Sequence, residues 1–369
     1  MKTKLSEFCE RILEAGWLVA LVMAPLFFNV YSDRVFEPDK LSIVRSIALV
    51  MVAAWLTKTL AGALSSEKGA GGPSFWAWVR HTPLVLPTLL LVLAYLISTV
   101  FSVAPRVSLW GSYQRLQGTY TTFSYIVIFF MVLTTLRRRE QLERLLNTIV
   151  LTSLPIAIYG ILQHYGRDPL PWGGDTRLRV ASNMGNAIFV AAYLIMAFFI
   201  TLERLARSFI ILFDEKRGDI AHAVLAGCYG AILGLQVLCI IFTQSRGPWL
   251  GLFAGLYMFV LLGLISLRRR AGVFNWAWKA WVGLTLAGAV FLGALNVPHS
   301  PLAPLREVPY VGRLGQLLEL GGGTGRVRVL IWEGVIDLLG RDPVRTFIGY
   351  GPEAMYVAYN PVYPPELAH

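Results

Sequence analysis

Three short stretches set arginine beside long apolar runs. In Gln244-Ser245-Arg246-Gly247-Pro248-Trp249, a turn of a handful of residues holds Arg246 between two such runs. The stretch from Trp110 to Gly118 offers Arg115 among aromatics, and the stretch from Arg177 to Asn186 brings Arg177 and Arg179 to the start of another run. A guanidinium is a planar fork of N–H donors, a shape suited to phosphate and above all to pyrophosphate. One arginine at a membrane boundary is usually an anchor whose head reaches for water. Several on one face point to an anionic headgroup. Pro248 suits the first turn of the helix that follows, and Trp249 suits an interfacial aromatic belt.

Other chemistries find few residues. The histidines are His81, His164, His222, His299 and His369, and no two have metal-ligand spacing. There is no GxxxxGK[ST] phosphate loop and no GxSxG nucleophile elbow. Acidic residues are nearly absent from the apolar runs, which weakens an ion-coupled transport reading. Cys228 and Cys239 would lie about 16 Å apart along one helix, too far to bridge, and Cys9 stands alone. We expect no metal and no cofactor.

The elements that must position these arginines are membrane helices. Of the 369 residues 56% are hydrophobic and 15% charged, whereas a soluble domain carries about 25% charged residues. The apolar residues fall in blocks of about twenty, the length a hydrocarbon core of roughly 30 Å demands. The sequence predicts an all-α polytopic protein with spans near 15–32, 41–62, 84–104, 120–136, 147–164, 183–204, 222–243, 249–267 and 277–297. Pro25, Pro87 and Pro155 fall inside spans and are expected to kink them. Gly69-Ala70-Gly71-Gly72-Pro73 reads as a loop. The net charge of +11 is spread between the blocks, which favours membrane topology over nucleic acid. With the N-terminus cytoplasmic, the inner segments hold twice as many Lys and Arg as the outer ones, anchored by Arg137–Arg139 and Arg268–Arg270. Residues 1–297 then form the helical bundle and residues 298–369 an extracytoplasmic segment. In that segment Gly321-Gly322-Gly323-Thr324-Gly325 leads into an amphipathic helix from about Arg326 to Leu339, expected on the membrane or the bundle top. The glycine run could be an anion-binding nest or a plain hinge.

At these residues the chain resembles the O-antigen ligase/polymerase-like membrane proteins. The resemblance rests on Thr243 through Gly251; on Trp110-Gly111-Ser112-Tyr113 with Gln117-Gly118; on Gly185-Asn186 with Ala191-Ala192-Tyr193-Leu194; and on Gly325-Arg326 through Trp332 with Gly349-Tyr350-Gly351-Pro352-Glu353. It implies transfer of a glycan from an undecaprenyl-pyrophosphate carrier to an acceptor at the outer face of the bacterial cytoplasmic membrane. The acceptor would be a lipid, a glycan or a protein hydroxyl. The family's Arg-x3-Leu pattern falls on Arg326 and Leu330. Carried over, Arg246 and Arg326 would hold the pyrophosphate and stabilise it as a leaving group, with Arg115, Arg177 and Arg179 as further substrate-binding candidates.

The family also uses an outer-loop histidine to activate the acceptor hydroxyl. In relatives a stretch like Pro364-Pro365-Glu366-Leu367-Ala368-His369 precedes that histidine and further spans. The chain is therefore expected to be part of a longer protein, with His369 only a weak candidate for the base. The competing reading is a non-catalytic component or transporter of envelope polysaccharide assembly. A transporter should show paired broken helices near the midplane, whereas the polar features here gather at one face.

Overall fold

The computed structural model describes residues 4–65, 75–168, 170, 175–213, 219–268, 272–297, 300–308, 311–315 and 323–367. The 69–73 loop, Arg269, Arg270, His299, Gly321, Gly322 and His369 lie outside the described residues. Every regular element among the described residues is a helix. In chain order the first half contains α1 (Lys4–Leu26), α2 (Pro38–Ser65), α3 (Phe75–His81), α4 (Val85–Val100), α5 (Pro105–Trp110), α6 (Thr119–Thr135) and α7 (Arg139–His164). The second half contains α8 (Ala187–Leu212), α9 (Ile220–Phe242), α10 (Arg246–Leu267), α11 (Gly272–Asn296), α12 (Val311–Leu314), α13 (Gly323–Arg341), α14 (Pro343–Ile348) and α15 (Met355–Ala358).

Six helices among the described residues are long and apolar enough to cross a membrane: α2, α7, α8, α9, α10 and α11. Each of the nine blocks read from the sequence overlaps a helix, but three fall short of that standard. The 16 residues of α4 and the 17 of α6 rise only about 24–26 Å, less than the roughly 30 Å core. α1 begins at Lys4, well before residue 15, and its first half carries Glu7, Glu10, Arg11 and Glu14. The prolines also differ from expectation. Pro87 lies in the first turn of α4, where its missing N–H breaks no helical bond, and Pro25 is one residue from the end of α1. Pro155 sits in the interior of α7.

The chain forms two compact units. One comprises residues 1–148 with 323–369, the other residues 149–322. In the first, Leu13 and Trp17 of α1 pack with Met51 and Ala54 of α2 and Met131 of α6. Gly16 lets the two helices close, because a Cβ there would lie 2.7 Å from Met51 Cγ and would displace that buried side chain. The C-terminal stretch builds its own cluster: Leu338 of α13 packs with Ala358, Tyr359 and Val362.

In the second unit, α8 and α9 pair along their length and polar side chains pin them. Gln236 of α9, fully buried, donates to Ser153 Oγ of α7 at 2.7 Å and to Thr201 Oγ1 of α8 at 3.0 Å. Within hydrocarbon such bonds have few competing partners, so they fix which residues of the three helices lie level.

Candidate functional site

In the second unit one candidate arginine, Arg179, reaches the turn that carries another, Arg246. α9 stops at Phe242, Gln244 takes a left-handed backbone (φ +48°), and α10 begins at Arg246 itself. The turn is held by its own side chains. Thr243 Oγ1 donates to the carbonyl of Ile240 at 2.7 Å, and Trp249 Nε1 donates to the same carbonyl at 2.9 Å. Trp249 is thus a buried clasp, not a member of an aromatic belt: the orphan carbonyls at the end of α9 need donors, and the indole supplies one. Pro248 lies in the first turn of α10, as expected.

Arg179 reaches this turn. Its Nε donates to Thr243 O at 3.4 Å and its Nη2 to Ser245 Oγ at 3.5 Å. The backbone beside it is tied in as well, Val180 N donating to Phe242 O at 3.3 Å. Behind it, buried Gln163 accepts from Ser182 N at 2.7 Å and donates to Asp168 Oδ2 at 2.8 Å. Arg177 packs over Gly166, and its carbonyl is bonded by His164 Nδ1 at 2.9 Å. The His164 ring in turn stacks on Phe242, with centroids 3.7 Å apart. Arg179 and the backbone of Arg246 therefore lie together at the N-terminus of a 22-residue helix whose first N–H groups and dipole favour an anion, with Arg177 tied to the end of α9 through His164 and Phe242.

In the first unit the loop of Arg115 is closed and clamped. Gly111 (φ +93°) and Gly118 back onto each other, since a Cβ on Gly118 would lie 2.3 Å from Gly111 N. Arg45, from inside α2, donates to Trp110 O and Leu116 O at 2.7 Å each and to Thr121 Oγ1 at 2.8 Å, and its guanidinium lies 4.8 Å from the Tyr120 ring centroid. Arg115 is exposed at the tip. The stretch from Gly349 to Glu353 docks beside this loop. Gly351 (φ +106°) sits against Ser102 and Ser108, the Tyr350 carbonyl accepts from Val103 N at 3.1 Å, and the Glu353 carboxylate accepts from Ser112 N. Glu37, just ahead of α2, feels Arg115, Glu353 and Lys40; burial pushes its carboxyl above the usual range, against the pull of Arg115.

α13 starts three residues earlier than expected, and its Arg326 pairs with Glu366 at 3.0 Å. Leu330, the other end of the Arg-x3-Leu pattern, is buried, and Tyr359 OH donates to the Ile331 carbonyl at 3.2 Å. Asp337, on the same stripe as Arg326, pairs with Arg341. Arg45, Glu353, Gln163 and Gln236 were not singled out as site residues in the sequence. The signal for Arg45, Gln163 and Gln236 was a polar residue within an apolar run.

The fold and these turns define a multi-pass helical membrane protein with arginine-bearing turns at the ends of its helices. Residues 231–369 match the O-antigen ligase family, a stretch that contains both the Arg246 turn and the Arg326 helix. A search of curated proteins and a search of solved structures gave no match.

Proposed function

We propose that the protein is a transferase that moves a glycan from undecaprenyl pyrophosphate to an acceptor hydroxyl at the outer face of the bacterial cytoplasmic membrane. The observation that carries this reading is the family match over the Arg246 turn, a turn to which Arg179 is bonded. In the reaction the acceptor oxygen bonds to the anomeric carbon, the bond from that carbon to the pyrophosphate oxygen breaks, and the hydroxyl proton passes to a base. Arg246 and Arg179 stabilise the charge gathering on the leaving pyrophosphate, with Arg177 beside them. The family pattern gives Arg326 a phosphate-binding role of its own, in place of its pairing with Glu366. The base is the family's outer-loop histidine. In this reading the N-terminus is cytoplasmic, the nine blocks are spans, and residues 298–369 are extracytoplasmic.

The test uses membranes containing the full-length protein, carrier-linked glycan and candidate lipid, glycan and protein acceptors. Transfer to one acceptor class, lost on Arg246→Ala, is the expected result. Wild-type transfer by Arg246→Ala would reject this assignment of the turn.

A further inference from the structure

At the end of the bundle where α1 begins, far along α2 from the Arg45 clamp, the first unit holds a charged cavity of about 320 Å³. That volume is at the lower end of the roughly 300–1,000 Å³ usual for small-ligand pockets. The walls come from the first half of α1, from Lys58 near the end of α2, and from the junction of α6 with α7. The junction is braced from inside. Gln141, itself buried, accepts from the backbone N–H of Arg137 at 3.0 Å and of Arg138 at 3.1 Å, and donates to Glu14 Oε2 at 2.8 Å. Two of the three wall carboxylates are committed to cations: Glu10 to Lys58 at 3.0 Å, and Glu14 to Arg144. The wall charges outside those pairs are Arg11, Arg137 and Arg138 against Glu7.

We propose that this cavity binds a phosphate-bearing group, supplied by the headgroup of an anionic phospholipid. Three guanidiniums around one recess favour a phosphate over a carboxylate or a cation. Helices α2 and α7, which help to form the wall, are long and apolar enough to cross a membrane, and the cavity lies at their charged ends, the level at which a lipid presents its headgroup. Basic recesses between membrane helices are a recognised form of headgroup site. The proposal does not depend on the transferase reading, because no candidate residue of that reading lines the cavity.

The test titrates purified full-length protein in neutral detergent with short-chain phosphatidylglycerol, phosphatidylcholine or inorganic phosphate, reading calorimetric binding. Saturable binding of phosphatidylglycerol is expected, with at least tenfold weaker binding of phosphatidylcholine and of phosphate. The double variant Arg137→Ala/Arg138→Ala should weaken it at least tenfold. Because that change touches a braced junction, Arg11→Gln, on the opposite wall, is the second variant and should weaken it at least threefold with helix content unchanged. Arg207→Ala, in the other unit, should leave it intact. Equal affinity for phosphatidylcholine, or a fall as large in Arg207→Ala as in Arg11→Gln, would overturn the proposal. Inorganic phosphate binding as tightly as phosphatidylglycerol would overturn the lipid source.

Discussion

Arg246 is the first helical residue of α10, so its backbone is fixed at the start of that helix. A charge-assisted bond from it to phosphate is worth about 1.5–3 kcal/mol, or about ten- to a hundredfold in rate. Lys keeps the charge and loses the fork, so Arg246→Lys should show a clear loss of transfer at limiting donor with normal membrane insertion, and Arg246→Ala a larger one. Wild-type transfer by the Lys variant would make Arg246 an anchor. Glu37 makes a separate prediction. Its raised carboxyl pKa means that the folded chain holds this proton more tightly than the unfolded chain. The resulting stability is present below the ordinary carboxylate range and is lost as pH rises through the raised value. Glu37→Gln should therefore raise the melting temperature at pH 7.5 and change it little near pH 4; the opposite ordering would contradict the assignment. The arginines at turns were legible because a charge between two apolar runs stands out. Arg45 was legible only as a charge, since the carbonyls it holds are 65 and 71 residues away and any residue type can supply a carbonyl.

Helices were readable wherever apolar length alone forms them, and their ends were misplaced where polar residues extend them. α1 gained a charged first half because Glu14 and Glu10 find partners on α7 and α2, contacts that no local periodicity reveals. The shortness of α4 has a similar origin: its end is tied to the C-terminal stretch, Arg345 donating to the Phe101 carbonyl and Ser102 Oγ to the Tyr350 carbonyl. Gly351 is the tightest point of that junction, with a Cβ placed 2.1 Å from Ser102 Oγ and a φ that L side chains rarely adopt. Gly351→Ala should cost about 1–3 kcal/mol from backbone strain and a similar amount from overpacking. A fall in melting temperature, with protease sensitivity appearing around residues 349–353, is the expected outcome; an unchanged melt would show that the junction yields. Leu338→Ala, which empties a nearby site without strain, gives the comparison.

At the scale of the molecule the basic residues predict orientation. In a cysteine-free background, Glu140→Cys should resist a membrane-impermeant thiol reagent in whole cells and Arg341→Cys should react with it. The reverse pattern would invert the topology and move the Arg246 turn to the cytoplasmic face. Apolar runs placed a helix under each of the nine blocks, six of them, among the described residues, long and apolar enough to span, but did not reveal the grouping of helices into units, because that depends on contacts between distant stretches. The first unit is such a case, being completed by residues 323–369 only after residues 149–322 have been made. At about 5–20 residues per second, the ribosome needs on the order of ten to thirty-five seconds to supply the missing piece. During that interval Ser102, Ser108 and the N–H of Ser112 wait without the glycine-rich stretch that later covers them. The nascent protein thus passes through a stage with inserted helices and an unfinished arginine loop, a window in which quality-control proteases could distinguish it from the finished protein.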